Sequence, residues 1–111
     1  MHELSIARNV VAIVCERAGP TRVARVTLEV GALSGVMADA IAFCFPIVAA
    51  GTSCAGARLE IREIAGRARC RACGAEFEAP QIGAVCPCGS RDAERTSGAE
   101  LNVKEMELEA A

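Results

Sequence analysis

Between residues 67 and 98 the chain holds four cysteines and two prolines but few branched apolar side chains. Such a stretch buries too little surface to fold unaided, and segments of this kind rely on a metal or on disulfides. Cys70-Arg71-Ala72-Cys73 and Cys86-Pro87-Cys88 are separated by twelve residues. Two close cysteine pairs on separate turns can deliver four thiolates to one ion in a tetrahedron, the arrangement of a closed structural zinc site. Gly74 and Gly89, each just after a pair, suit tight turns that aim backbone amides at sulfur. Zn(II) is the preferred ion, and iron in a rubredoxin-like site is the other that accepts four sulfurs. No coordination position is left open, so the expected role is structural. The second pair is one residue shorter than the usual C-x-x-C, so strain is expected at Cys86 and Cys88, with Cys54 a conceivable substitute ligand. Cys15, Cys44 and Cys54 lie among apolar or small residues and read as small hydrophobes.

On either side of this segment the pattern is that of a packed domain. Residues 4–18 place Leu4, Ala7, Val10, Val11 and Val14 at helical spacing, and Gly19-Pro20 ends the helix. Residues 22–31 alternate, with Val26, Leu28 and Val30 on one face and Arg25, Thr27 and Glu29 on the other, as in a half-buried strand. Residues 38–50 read as a second, largely buried helix, with Asp39 as a cap in its first turn and Pro46 kinking it or ending it early. Residues 57–64 form another strand with Leu59 and Ile61 inward. After Gly98, Leu101 and Val103 share one parity and Met106 and Leu108 the other, so a bulge is expected near Lys104-Glu105. Strands before and after the cysteine segment imply an insertion between two strands that pair. The expected fold is α+β: a small mixed sheet with two helices over 1–66 and 99–111, and a four-cysteine zinc-ribbon-like insert over 67–98.

Composition removes several function classes. A formal charge of −2, a pI near 5.4 and no Trp or Tyr leave neither the basic footprint nor the stacking surface of a nucleic-acid binder. The insert's five Arg against four acidic residues give only a slight positive excess. Glu3 and Arg8 interrupt any signal-like start, and the apolar stretch around 40–50 falls short of the ~20 residues of a membrane span. A cytoplasmic location follows, where cysteines serve as metal ligands or buried thiols. With one His in 111 residues, no nucleophile–base constellation and no GxxxxGK[ST] loop, an enzyme is not expected.

That single histidine is residue 2. The Met1 amine, the His2 backbone nitrogen and the His2 Nδ1 can close a five-membered and a six-membered chelate ring on one metal. The Glu3 amide or carboxylate, or an outside donor, would complete a planar set. Nitrogen-rich square-planar donors suit Ni(II) or Cu(II), not the tetrahedral zinc of the cysteines. One site would then be closed and permanent, the other terminal and exchangeable. Acid should empty the second through an imidazole whose unperturbed pKa is about 6.5.

Met1-His2-Glu3-Leu4-Ser5, Val30-Gly31-Ala32-Leu33-Ser34-Gly35, Ala42-Phe43-Cys44-Phe45 and the two-pair cysteine insert together resemble the HypA/HybF family of hydrogenase nickel-incorporation proteins. The resemblance implies a small metallochaperone that delivers Ni(II) to the large subunit of [NiFe]-hydrogenase. It implies nickel centred on His2 with backbone nitrogens of Met1 and Glu3, and structural Zn(II) on Cys70, Cys73, Cys86 and Cys88. It also implies a HypB-type GTPase as partner, urease maturation proteins in some organisms, and neither nucleic acid nor membrane. The competing reading is a zinc-ribbon interaction module without metal transport.

Overall fold

The computed structural model describes residues 3–110; Met1, His2 and Ala111 lie outside the described residues. The elements run α1 (Glu3–Ala18), β1 (Val23–Gly31), α2 (Ala38–Ala49), β2 (Arg58–Ile64), β3 (Arg67–Cys70), β4 (Glu76–Glu78), β5 (Ala93–Ser97) and β6 (Leu101–Leu108). They form an α+β structure with two three-stranded sheets, ordered β2-β1-β6 and β4-β3-β5. The chain divides into two compact units. One comprises Met1–Glu29, Met37–Arg62 and Asn102–Ala111; the other comprises Val30–Val36 and Glu63–Leu101.

In the first unit, Ala7, Val10, Val11 and Val14 of the expected α1 stripe are buried, joined by Ile6 and Ala18, while Leu4 at the start of the helix is exposed. Gly19, at φ +62°, ends the helix with its N–H on the Cys15 carbonyl at 3.0 Å, a left-handed cap that glycine adopts without penalty. α2 packs against α1 and buries only Ile41, Phe45 and Ala49, one residue per turn. The expected largely buried helix is therefore half-exposed: Phe43 keeps 74% of its surface and Ile47 60%. Pro46 does not end the helix early: it lies inside α2, on the exposed side together with Ala42, the residue whose carbonyl loses its donor. Asp39 stands in the first turn, but Met37 occupies the cap position, with no side-chain cap hydrogen bond. Asp39 thus complements the helix dipole without capping it. The Met37 N–H instead donates to Glu3 Oε2 at 3.2 Å, tying the start of α2 to the start of α1.

The two strands flanking the insert, β2 and β6, do not pair with each other as expected; both pair with β1 between them. Side chains on the outer face reflect this order. Arg25 of β1 reaches Glu60 of β2 at 3.2 Å and Glu107 of β6 at 3.5 Å, while Glu29 takes Lys104 at 3.8 Å and Asn102 at 2.9 Å. Between these levels, Arg62 and Glu105 meet at 3.7 Å, and a pair joining β2 to β6 must span β1. Thr27, expected to face water with Arg25 and Glu29, is fully buried beneath that roof. Its neighbours on the face, Arg25 and Glu29, are long and paired with residues of the flanking strands, and its own side chain is short. Thr27 Oγ1 has no hydrogen-bond partner among the described residues. Leu59 and Ile61 are half-buried, as are Val103 and Met106; the three-residue interval between the last two matches a slip of parity.

The second unit has a small core of Ala68, Cys70, Phe77, Ala79 and Cys86, with Ala84 and Ala93 against it. β3 pairs antiparallel with β4 (Ala68 opposite Phe77) and with β5 (Cys70 opposite Ala93). Where its chain segments cross, side chains are excluded. The Leu33 N–H donates to the Gly98 carbonyl at 2.6 Å and the Gly31 N–H to Glu100 at 2.7 Å. A Cβ on Gly31 would collide with the Gly98 carbonyl, and one on Gly98, at φ +112°, would come within 2.6 Å of the Gly66 Cα.

Candidate metal centre

β3 ends at Cys70, and the turn that follows carries Cys73; a second turn ahead of β5 carries Cys86 and Cys88. Each turn closes on itself. Gly74, at φ +79°, donates to the Cys70 carbonyl at 2.9 Å, and Gly89, at φ +94°, donates to the Cys86 carbonyl at 2.8 Å. The turns are held to one another by Arg71, whose backbone N–H donates to the Asp92 carbonyl at 2.8 Å and whose guanidinium meets Asp92 Oδ1 at 3.0 Å.

The four Sγ atoms all lie within 4.8 Å of one another. Cys70 to Cys88 is 3.7 Å and Cys73 to Cys86 is 3.6 Å. A tetrahedron with Zn–S bonds of ~2.3 Å has S···S edges of about 3.8 Å, so these sulfurs are spaced for one zinc ion. The Cys73 N–H points at Cys70 Sγ (3.4 Å) and the Cys88 N–H at Cys86 Sγ (3.5 Å), the outer hydrogen bonds that steady thiolate ligands. The short Cys86-Pro87-Cys88 spacing does not keep the sulfurs apart: the glycine turn at Gly89 and the Cys86 N–H to Ser90 carbonyl bond (3.0 Å) fold both into the cluster. Cys70 and Cys86 are buried and Cys73 and Cys88 exposed, so one edge of the site faces solvent.

Four bare thiols this close cannot all ionise. The Cys73 backbone N–H, ahead of the opposing effect of burial, lowers the Cys70 pKa to about 6. At Cys86 the largest single influence, the Cys88 backbone N–H, also lowers it, but burial and the three neighbouring thiols together outweigh that and push it to about 12. A dication removes the conflict by stabilising all four thiolates at once. The donor set and its spacing thus fit zinc, and the closed tetrahedron leaves it a structural role.

Cys54 is not part of this cluster. It is buried in the helical unit with its Sγ 3.5 Å from Cys15 Sγ, a proximity of residues 39 apart that no local period signals. Cys44 is half-buried on α2. Of the expected nickel ligands, Met1 and His2 lie outside the described residues, and Glu3 opens α1 with its carboxylate on the Met37 N–H.

A protein-family model described as hydrogenase/urease nickel incorporation, metallochaperone, hypA matches residues 1–108. The chain is similar to proteins named hydrogenase maturation factor HypA. It is 53% identical over 110 residues to that of Rippkaea orientalis, covering 98% of this chain and 96% of the relative. It is 51% identical over 109 residues to that of a Nostoc species, with the same coverage. It is 48% identical over 110 residues to that of Geobacter metallireducens, covering 98% of this chain and all of the relative. Its fold is that of two solution structures. One, described as HypA protein, has a TM-score of 0.71 and 24% identity over 100% of this chain and 98% of the other. The other, described as the Ni metallochaperone HypA from Helicobacter pylori, has a TM-score of 0.69 and 22% identity over the whole of both chains.

Proposed function

Because the chain belongs to the HypA family of hydrogenase/urease nickel-incorporation metallochaperones, we propose that it carries Ni(II) for the maturation of [NiFe]-hydrogenase and hands it on at the large subunit. The observation that carries this reading is the match along residues 1–108, joined to a four-sulfur cluster spaced for zinc. Nickel is held at the N-terminus by His2 with backbone nitrogens of Met1 and Glu3, and zinc by Cys70, Cys73, Cys86 and Cys88. The two metals then sit in sites of opposite character. Four thiolates close a permanent tetrahedron, whereas one imidazole and a few backbone nitrogens make a planar site that partners can empty.

On this reading the protein is a carrier and not a catalyst, and it works in the cytoplasm. No helix among the described residues is long and apolar enough to cross a membrane. The nucleotide hydrolysis that drives transfer belongs to a HypB-type GTPase, and urease maturation proteins are further recipients in organisms that have them. A zinc-ribbon module that only binds nucleic acid is disfavoured by an acidic chain with 3% aromatic residues.

The test is nickel titration of wild type and His2→Ala with zinc quantified in both. Wild type should bind one Ni(II) at micromolar-range affinity and one Zn(II). His2→Ala should lose the nickel and keep the zinc. Equal nickel binding by the two proteins would show the site to be elsewhere.

A further inference from the structure

Cys15, near the C-terminal end of α1, and Cys54, in the turn after α2, bring their sulfurs to 3.5 Å. Cys54 is fully buried and Cys15 partly exposed, so one sulfur can be reached from solvent and the other is stored behind it. The turn wraps the reachable one. Ser53 Oγ donates to Cys15 Sγ at 3.3 Å. Thr52 Oγ1 fixes the turn, donating to the Ala49 carbonyl at 2.7 Å and accepting from the Cys54 N–H at 3.1 Å. Neither thiol takes part in the zinc cluster.

We propose that Cys15 and Cys54 are a peroxide-responsive thiol pair that closes to a reversible disulfide across the helical unit, independently of both metals. The step starts with Cys15 as thiolate. Its sulfur attacks one oxygen of hydrogen peroxide, the O–O bond breaks and hydroxide leaves, giving a sulfenic acid at Cys15 with the sulfur oxidised by two electrons. The Cys54 sulfur then attacks Cys15 Sγ, the S–O bond breaks, and the Cys54 proton leaves with the departing hydroxide as water. In sum, two thiols and one hydrogen peroxide give one disulfide and two waters.

The electrostatics divide the labour in the same sense. Burial raises the Cys15 pKa, but the hydrogen bonds around its sulfur, those of Ser53 and Cys54 foremost, outweigh it, so the thiol lies below its ordinary 9.0. Burial, followed by the hydrogen bond and charge of Cys15, pushes Cys54 up to about 12. Once Cys15 becomes an uncharged sulfenic acid, the charge opposing Cys54 ionisation is gone. The first oxidation thereby removes the smaller of the two influences that hold Cys54 protonated, burial being the larger.

The experiment uses the full chain loaded with zinc, treated with hydrogen peroxide, alkylated and mapped by peptide mass. A linked pair of peptides holding Cys15 and Cys54, lighter by about 2 Da and restored by dithiothreitol, is expected while a chromogenic chelator detects no released zinc. In Cys54→Ala, a dimedone adduct should accumulate at Cys15 and not at Cys44. Should that variant fail to fold, iodoacetamide labelling of the wild type decides: Cys15 should react about tenfold faster than Cys44 at neutral pH. Zinc loss before any 15–54 link, a link between other cysteines, or equal reactivity of Cys15 and Cys44 would each overturn the proposal. Because none of these readouts involves nickel, its failure leaves the carrier function standing, and failure of nickel binding leaves the thiol pair standing.

Discussion

Cys70 and Cys88, on two different turns and eighteen residues apart, place their sulfurs 3.7 Å from each other, and Cys73 and Cys86 do the same at 3.6 Å. Each short contact joins one turn to the other, so neither pair is a half-site that could hold a metal alone. The core beside them contains a single large side chain, Phe77.

Zinc is therefore expected to supply most of the stability of the second unit. Structural zinc contributes roughly 10–16 kcal/mol in comparable peptides at neutral pH. Cys73→Ser should abolish stoichiometric zinc by metal analysis and open the amides of β3, β4 and β5 to hydrogen exchange. The amides of α1 should keep their protection.

Alkaline pH should weaken the helical unit through Cys54. Its folded pKa is raised from 9.0 to about 12, so the folded form is favoured while the thiol stays protonated. That contribution is complete below pH 9, where the unfolded thiol is neutral too, and is lost as pH climbs from 9 towards 12. Denaturation midpoints measured across this range should fall more steeply for wild type than for Cys54→Ala, which lacks the buried thiol.

Thr27→Val should raise stability. The buried hydroxyl has no partner among the described residues, and exchanging it for a methyl of similar size removes an unreturned desolvation cost of about 1 kcal/mol. Urea unfolding should show a higher midpoint with an unchanged slope. A lower midpoint would mean that the hydroxyl is hydrogen-bonded in solution.

Gly98→Ala should cost about 2–4 kcal/mol, since its φ of +112° and the Gly66 Cα at 2.6 Å from an added Cβ act together. Gly74→Ala tests the separation of the two effects. Its φ is +79° but nothing lies within 4 Å of the added Cβ, so the loss should be about 1–2 kcal/mol, from backbone strain alone.

Both helices, the strand β1 and the four-cysteine ligand set were legible because their signals are local. Periodicity places the α1 stripe, and paired cysteines next to glycines announce metal-binding turns. What the sequence hides is set by partners distant in the chain. That β1 lies between β2 and β6, and not beside a β2–β6 pair, depends on which strand offers two bonding edges, and alternation is blind to that. Thr27 reads as outward by parity and is fully buried, on a strand flanked by two others that no window around residue 27 contains. Phe43 and Ile47 look like core and are exposed, because hydrophobicity alone does not say how much of a helix its neighbour covers. The meeting of Cys15 with Cys54 belongs to the same class.

Glu3 fastens the first turn of α1 to the start of α2 through the Met37 N–H, and Cys15 touches the turn beyond the end of α2. Twelve residues of helix separate these points, about 18 Å of rigid rod at 1.5 Å per residue. A rod moored at both ends can neither slide nor swing. Loss of either mooring should therefore loosen the helix pair from that end first, the other end staying docked.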